Sequence, residues 1–144
     1  MAALAANVYI NSDPKVPLIL AEIKGAADEY FLGAVLCVTA ATGILDATPA
    51  DADRFVGVCV EHVVAAANDP VKVAVWGRWH ILAAACADAS VGLTVHPLAA
   101  SDNPADITAS AATNPSAMGI LDHVTVTGTS GWVHTGFRAA PTNA

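Results

Sequence analysis

Residues 55–63 have the sequence Phe-Val-Gly-Val-Cys-Val-Glu-His-Val, in which valine recurs at every second position from 56 to 60. A period of two is that of a β-strand, whose side chains alternate between the two faces of a sheet. The stretch therefore predicts a strand with one face made of Val56, Val58 and Val60 and an opposite face made of Phe55, Gly57, Cys59 and Glu61.

A second strand is predicted over residues 71–82, which alternate in the same way and follow a turn at residues 65–70. We expect it to be the hairpin partner of residues 55–63. Gly77, which lies between two tryptophans, predicts a bend or a bulge in this strand. The alternation predicts one face with Val71, Val73, Val75, Gly77, Trp79 and Ile81, and another with Lys72, Ala74, Trp76, Arg78 and His80.

The same order of segments occurs twice in the chain. A glycine-led apolar stretch, 33–38 or 92–96, is followed by a small-residue connector and then by a glycine-centred strand, 55–63 or 117–124. Each of these strands ends in an acidic residue, a histidine and a valine. The two copies agree only loosely in length, so they indicate a duplicated strand motif and not a solenoid array.

The remaining segments complete a chain of short strands separated by turns. We predict a turn or a single helical turn at residues 26–30, and further strands at residues 17–23, 31–38, 91–98, 118–126 and 131–138. This pattern predicts a mainly β fold, a small β-barrel or a two-sheet β-sandwich, with long Ala/Thr-rich loops and at most short helices. The predicted organisation is an N-terminal arm (1–15), a single β domain with two loosely repeated strand sets (16–138) and a tail (139–144).

Composition excludes several classes of partner. The formal net charge is −7, and the six Lys and Arg residues are spread over all 144 positions, which disfavours binding to nucleic acid or to an anionic membrane. No apolar stretch reaches the 18 residues of a membrane span, and the N-terminus lacks the pattern of a secretory signal. Three cysteines in apolar contexts predict reduced thiols in a chain made in the cytoplasm.

The first fifteen residues predict an arm. Val8, Tyr9 and Ile10 form a short β-prone triplet that is followed by the breaker Asn-Ser-Asp-Pro at 11–14. Such a triplet can add to a sheet edge of a neighbouring protein, and it can equally be the first strand of the chain's own sheet.

The sequence predicts no catalytic, cofactor or metal site. Cys59 and His62 are three residues apart, so on an extended strand they face opposite sides and cannot bind one ion. The other four histidines lie on separate predicted strands, without a Cys-x-x-Cys or His-Glu-x-x-His pattern. There is no Gly-x-Ser-x-Gly sequence, and Cys86 has no basic neighbour in sequence that would activate its thiol. We therefore expect a protein that is not an enzyme.

Trp76, Arg78 and His80 share a predicted face of strand 71–82 and form a candidate interface. Trp and Arg dominate the binding energy of protein contacts. A tryptophan that simply covers a sheet is the alternative interpretation of Trp76. Sugar binding would need two or three coplanar exposed aromatic rings in a chain with 6% aromatic residues.

The chain resembles the small capsid decoration (cement, head-stabilising) proteins of tailed bacteriophages. The resemblance covers residues 17–138 and is carried by Pro-Leu-Ile-Leu at 17–20, Val-Gly-Val at 56–58, Lys-Val-Ala-Val at 72–75 and Met-Gly-Ile-Leu at 118–121. It implies a structural virion protein on the outer capsid surface that forms a homotrimer and binds at three-fold and quasi-three-fold positions of an expanded head. Its partner would be the major capsid protein, whose neighbouring subunits it would clamp, with the arm around Val8, Tyr9 and Ile10 adding to a capsid strand. The alternative function is a non-enzymatic small-molecule or carbohydrate-binding β-domain.

Overall fold

A computed structural model describes residues 4–8, 10–48, 50, 53–82, 86–97, 107–108 and 117–136. The predicted mainly β fold class is confirmed, because strands make up about half of the structure and form one strongly curled half-barrel sheet and a second small sheet. The strands are β1 (Asn11–Ser12), β2 (Ile19–Lys24), β3 (Asp28–Tyr30), β4 (Val35–Val38), β5 (Leu45–Asp46), β6 (Arg54–Cys59), β7 (Val63–Ala65), β8 (Pro70–Leu82), β9 (Thr94–Pro97), β10 (Ile107–Thr108), β11 (Gly119–Val126) and β12 (Ser130–Thr135). A 3-10 turn spans Asp88–Ser90. No helix in these ranges has the length and apolarity needed to cross a membrane.

Strand β8 organises the large sheet, whose order is β10-β9-β11-β12-β8-β6-β4-β5. The first half of β8 pairs with β2 and β6, and its second half pairs with β1 and β12. The predicted strand 71–82 is therefore confirmed over its whole length. Its thirteen residues are shared between two sets of partners, which allows one strand to support both halves of the fold.

The predicted strand 55–63 is wrong in its second half. Strand β6 ends at Cys59, and the chain bends at Glu61 before β7 begins. β6 does pair with β8, as expected of a hairpin partner, but β7 intervenes between them in sequence. β7 pairs instead with β3 in the small sheet, so the turn predicted at 26–30 is also wrong. Tyr30 at the end of β3 is 1% exposed, and burial of this large side chain favours the extended backbone.

A bulge in β6 overturns the predicted alternation of its side chains. Cys37 of β4 pairs with Phe55 while its neighbour Leu36 pairs with Gly57, so Val56 is an extra residue on β6. Phe55 and Val58 consequently pack into the same core cluster, although the sequence places them on opposite faces.

The bend or bulge predicted around Gly77 is confirmed as a second bulge, which lies in β8 two residues before this glycine. Ile19 of β2 pairs with Trp76 and Leu20 pairs with Ala74, which leaves Val75 as the extra residue. After the bulge, the alternation of side chains is reversed. Val71 and Val73 therefore lie in one core while Trp79 and Ile81 lie in another, and the single face predicted from Val71 to Ile81 is wrong. The bulge increases the local bend and twist of β8, as expected for a strand in a curled sheet.

The exchange of faces produces two cores. The first core contains Val35, Cys37, Phe55, Val58, Ala74, Trp79, Ile81, Cys86, Val95, Met118, Leu121 and Val133. The second core contains Tyr30, Ala34, Leu36, Val38, Leu45, Ala47, Cys59, Ala65, Val71 and Val73. Strands β4, β6 and β8 contribute side chains to both, so they form the wall that the two cores share.

The two copies of the glycine motif occupy matching places in the sheet. Leaving out β7 of the small sheet, the strands of the first copy are β4, β5, β6 and β8 in chain order, and they lie in the sheet in the order β5-β4-β6-β8. The strands of the second copy, β9 to β12, lie in the corresponding order β10-β9-β11-β12. Gly33 and Gly92, which open the two copies, have φ angles of 87° and 89°. Their amides donate hydrogen bonds to the carbonyl oxygens of Cys59 and Leu121, at 2.9 and 2.8 Å. The same local geometry is thus built twice.

Candidate functional site

The N-terminal segment lies against the body of the chain. The amide of Val8 donates a hydrogen bond to the carbonyl oxygen of Leu32 at 2.9 Å, and the side-chain oxygen of Asn7 accepts one from the Leu32 amide at 2.9 Å. Ile10 packs against the first core. Tyr9, the middle residue of the predicted capsid-binding triplet, lies outside the described residues. Val8 and Ile10 are thus both in contact with other parts of this chain.

The segment continues onto the edge of β8. Asn11 pairs with His80 and Ser12 pairs with Trp79, which makes β1 a two-residue strand of the chain's own sheet. The amide of Asp13 then donates to the carbonyl oxygen of Arg78 at 2.8 Å. So short a strand contributes few backbone hydrogen bonds, and side-chain contacts must add to its attachment.

The three predicted interface residues lie on one face of the second half of β8. In the register of the sheet, Trp132 is opposite His80 and His134 is opposite Arg78. Directly opposed residues project from the same face of a sheet. We call this set of Trp76, Arg78, His80, Trp132 and His134 the β8–β12 face; all five are half-buried.

Arg78 is the centre of this face. Its guanidinium group donates two hydrogen bonds to the carboxylate of Asp122, at 2.8 and 2.7 Å, and one to Asp13 at 2.9 Å. It also lies over the ring of Trp132, 4.6 Å from the centroid. The hydrogen bonding with Asp122 raises the pKa of Arg78 above the ordinary value of an arginine, so the guanidinium group stays charged. Arg78 therefore links the N-terminal segment, β8, β11 and β12.

Aromatic contacts fix the other members of the face. Trp76 and His134 meet edge to face with centroids 4.9 Å apart, and His80 lies 5.2 Å from Trp132. The His80 ring also hydrogen bonds to the Thr125 hydroxyl at 2.9 Å. Since Arg78 covers one side of Trp132, this ring is not a bare platform for stacking on a sugar.

Replacing Arg78 with methionine is expected to make the stability of the protein less sensitive to acid. A hydrogen bond from the Lys15 amide and the contacts with Arg78 lower the pKa of Asp13. A carboxyl group whose pKa is lower in the folded state than in the unfolded chain stabilises the folded state at pH values above its unfolded-state pKa. This stabilisation is lost as the pH falls through the pKa of the folded state. The wild type should therefore lose more stability between about pH 5 and pH 2 than Arg78→Met.

Urea unfolding at pH 7 and pH 3 measures this difference. Arg54→Met is the matched control, because the Arg54 side chain is exposed and reaches the carbonyl oxygen of Ala40 at 3.2 Å. Equal acid sensitivity in the wild type and in Arg78→Met would show that the ion pair between Arg78 and Asp13 does not contribute.

Three exposed apolar residues lie at the start of β2. Leu18, Ile19 and Leu20 are 40%, 54% and 55% exposed, although the sequence from 17 to 23 has the composition of a buried strand. Ile19 is opposite Trp76 in the register of β2 and β8. We call residues 18–20 the β2 strip. Ile19 therefore extends the aromatic face next to Trp76. Leu20 is opposite Ala74 of the first core and Leu18 lies against Gly77, so these two side chains are on the other side of the sheet.

The cysteines and histidines do not form a metal centre in the described part of the chain, where no group of three or more His, Cys, Asp or Glu side chains converges. Cys59 is buried and burial raises the pKa of its thiol. His62 instead lies at the surface, where its ring nitrogen is 2.8 Å from the Glu29 carboxylate and its ring stacks on Phe31.

The sequence interpretation missed four residues of the site: Trp132, His134, Asp122 and Asp13. The available signal was the spacing of two between Trp132 and His134 within a predicted strand. It could not identify the site, because the register that brings Trp132 beside His80 joins residues more than fifty positions apart.

Comparison with known proteins gives no match to a protein-family model, a curated protein or a solved structure. The function of this chain is therefore inferred from its own residues.

Proposed function

We propose that this protein is a structural virion protein that binds the outer surface of an expanded icosahedral phage head. It acts as a homotrimer at three-fold and quasi-three-fold positions and clamps neighbouring major capsid subunits. The observation that carries the proposal is the surface made by the β8–β12 face and the neighbouring exposed side chain of Ile19. The sequence resemblance to capsid decoration proteins supports the identity of the partner.

The composition of this surface is that of a protein interface. Tryptophan and arginine are the residue types enriched among the contacts that dominate binding energy. Here Trp76, Trp132 and Arg78 are placed on paired strands and fixed by ion pairs and ring contacts. Ordering these side chains before binding lowers the entropy cost of association.

Three-fold symmetry suits weak individual contacts. A trimer at a three-fold site engages three copies of the capsid surface at once, so its overall affinity exceeds that of one contact. The net charge of −7 opposes nonspecific association between closely spaced copies. Modest contacts are therefore sufficient for stable decoration.

In this proposal, the N-terminal arm has to break contacts within its own chain before it can bind the capsid. Val8 is hydrogen bonded to Leu32, Ile10 packs against the first core, and β1 pairs with β8. All of these contacts would have to be lost for the arm to add to a capsid strand. Deleting residues 1–12 would also remove Ile10 from the core packing. A substitution in the β2 strip tests capsid binding with less effect on the fold.

Ile19→Asp is expected to weaken binding to undecorated expanded heads at least tenfold, because it places a charge in the apolar surface that meets the capsid. Each 1.4 kcal/mol of lost contact energy is about a factor of ten, and the loss is repeated in each protomer of a trimer. Co-sedimentation of the purified protein with the heads gives the number of bound copies as a function of concentration.

Val126→Asp is the matched control, since Val126 is also 54% exposed but lies at the end of β11, outside the proposed surface. The proposal predicts wild-type binding for Val126→Asp. Equal binding by Ile19→Asp and the wild type, or equal losses in both variants, would contradict it.

A further inference from the structure

A cleft of about 350 Å³ opens at the end of the half-barrel where β2 and β5 approach each other. Its walls come from the connector after β2 (25–27), the β4–β5 turn (39–44), β5 and the β7–β8 turn (67–68). Cavities of this volume are at the lower end of the range that binds small molecules. The cleft is separate from the β8–β12 face and plays no part in the proposed capsid contact.

Backbone hydrogen bonds hold these walls together. Gly25 donates to the carbonyl oxygen of Asp69 at 2.9 Å and accepts from the Asn68 amide at 2.9 Å. The amide of Ala26 donates to the carbonyl oxygen of Leu45 at 3.0 Å, which joins the β2 connector to β5. Because separate turns are cross-linked in this way, the cleft is preformed.

The lining combines apolar side chains with one carboxylate. Ala26, Ile44 and Ala67 supply apolar surface, and Asp46 is the single charged residue among the described residues that line the cleft. The Asp46 side chain accepts a hydrogen bond from the Thr48 amide through Oδ1 at 2.8 Å. Within the described ranges its Oδ2 atom has no hydrogen-bond donor, and no lysine or arginine lines the cleft.

Tyr30, which hydrogen bonds to two of the lining residues from behind, adds no positive charge to the cleft. The Tyr30 hydroxyl lies 3.1 Å from the carbonyl oxygens of Leu45 and Ala26, and it is buried. Burial, followed by the negative charge of Asp28, raises the pKa of Tyr30 to about 12, so the hydroxyl stays protonated at neutral pH. The electrostatic preference of the site is therefore for a cation.

We propose that this cleft binds a small organic cation, a primary ammonium group on a compact apolar body, with the ammonium group paired to Asp46. The apolar body lies against Ala26, Ile44 and Ala67. The volume limits the ligand to roughly ten heavy atoms, since a water molecule occupies about 30 Å³ in the liquid. This site is independent of capsid binding and does not rest on it.

Titration with cyclohexylammonium, followed by amide NMR shifts, tests the site, and cyclohexanol serves as the neutral probe of the same shape. We expect saturable shifts confined to the amides around residues 25–27, 42–46 and 67–68, with the ammonium probe binding at least tenfold more tightly than the alcohol. Asp46→Asn should abolish that difference and leave the weak binding of cyclohexanol unchanged. Asn keeps the side-chain oxygen that accepts from Thr48, so the turn is preserved.

Asp88→Asn is the matched control, because Asp88 is an exposed carboxylate on the 3-10 turn, outside the lining of the cleft. It should bind the ammonium probe as the wild type does. Equal affinities of the wild type for the two probes, or unchanged ammonium binding by Asp46→Asn, would overturn the proposal. Shifts scattered over the other acidic surface residues would overturn it as well.

Discussion

Replacing Gly33 with alanine is expected to lower the free energy of unfolding by about 3 kcal/mol or more, and the same change at Gly92 by about 1 kcal/mol. The two glycines have φ angles of 87° and 89°, so alanine suffers the same backbone strain at both positions. Their surroundings differ. A Cβ atom on Gly33 would overlap the carbonyl oxygen of Val8, whereas a Cβ atom on Gly92 meets no atom of the described residues within 4 Å.

Urea denaturation of the two variants measures the difference, which isolates the contact between Gly33 and the N-terminal segment. The structure also predicts that the amide of Val8 exchanges faster with solvent in Gly33→Ala, because its hydrogen bond to Leu32 must lengthen or break. Equal destabilisation by the two substitutions would contradict the docked position of this segment.

Truncating Phe55 to alanine is expected to cost about 3–5 kcal/mol. Phe55 has no exposed surface and packs in the first core, where β4, β6 and β8 meet the strands of the second motif copy. Its removal leaves a cavity that the β6 bulge cannot fill, since the backbone there is paired with β4. The loss should therefore lie in the upper part of the range for large-to-small changes.

Phe31→Ala is the matched comparison for the same change of side chain. Phe31 is only half-buried and stacks on His62 at the surface, so we expect a loss of about 1 kcal/mol. Chemical denaturation at neutral pH separates the two cases. A smaller loss for Phe55→Ala than for Phe31→Ala would show that the first core is not packed as described.

The long strands could be predicted from the sequence because their period-two pattern depends only on local alternation. β8 is the clearest case, and β11 falls within the predicted strand 118–126. The bulge at Val56 could not be predicted, and the bulge in β8 was predicted only as a bend or a bulge at Gly77 and not at Val75, since the position of a bulge is defined by the partner strand. Each bulge moves the side chains that follow it to the opposite face of the strand. The predicted core faces of β6 and β8 are therefore wrong, even where the strands themselves were predicted correctly.

The candidate site shows the same division between local and long-range information. Trp76, Arg78 and His80 share a face as predicted, because all three follow the bulge in β8. Trp132 and Asp122 join them only through the pairing of β8, β12 and β11, which links residues distant in sequence. The exposure of the β2 strip could not be predicted either, since apolar residues in an extended stretch have the pattern of a buried strand.

Cryo-electron microscopy of undecorated expanded phage heads mixed with this protein tests the central claim most directly. We predict saturable added density at the three-fold and quasi-three-fold positions, three copies at each, with Ile19 and the β8–β12 face at the contacts. Heads without added density at saturating protein concentration, together with a monomer in light scattering, would contradict it.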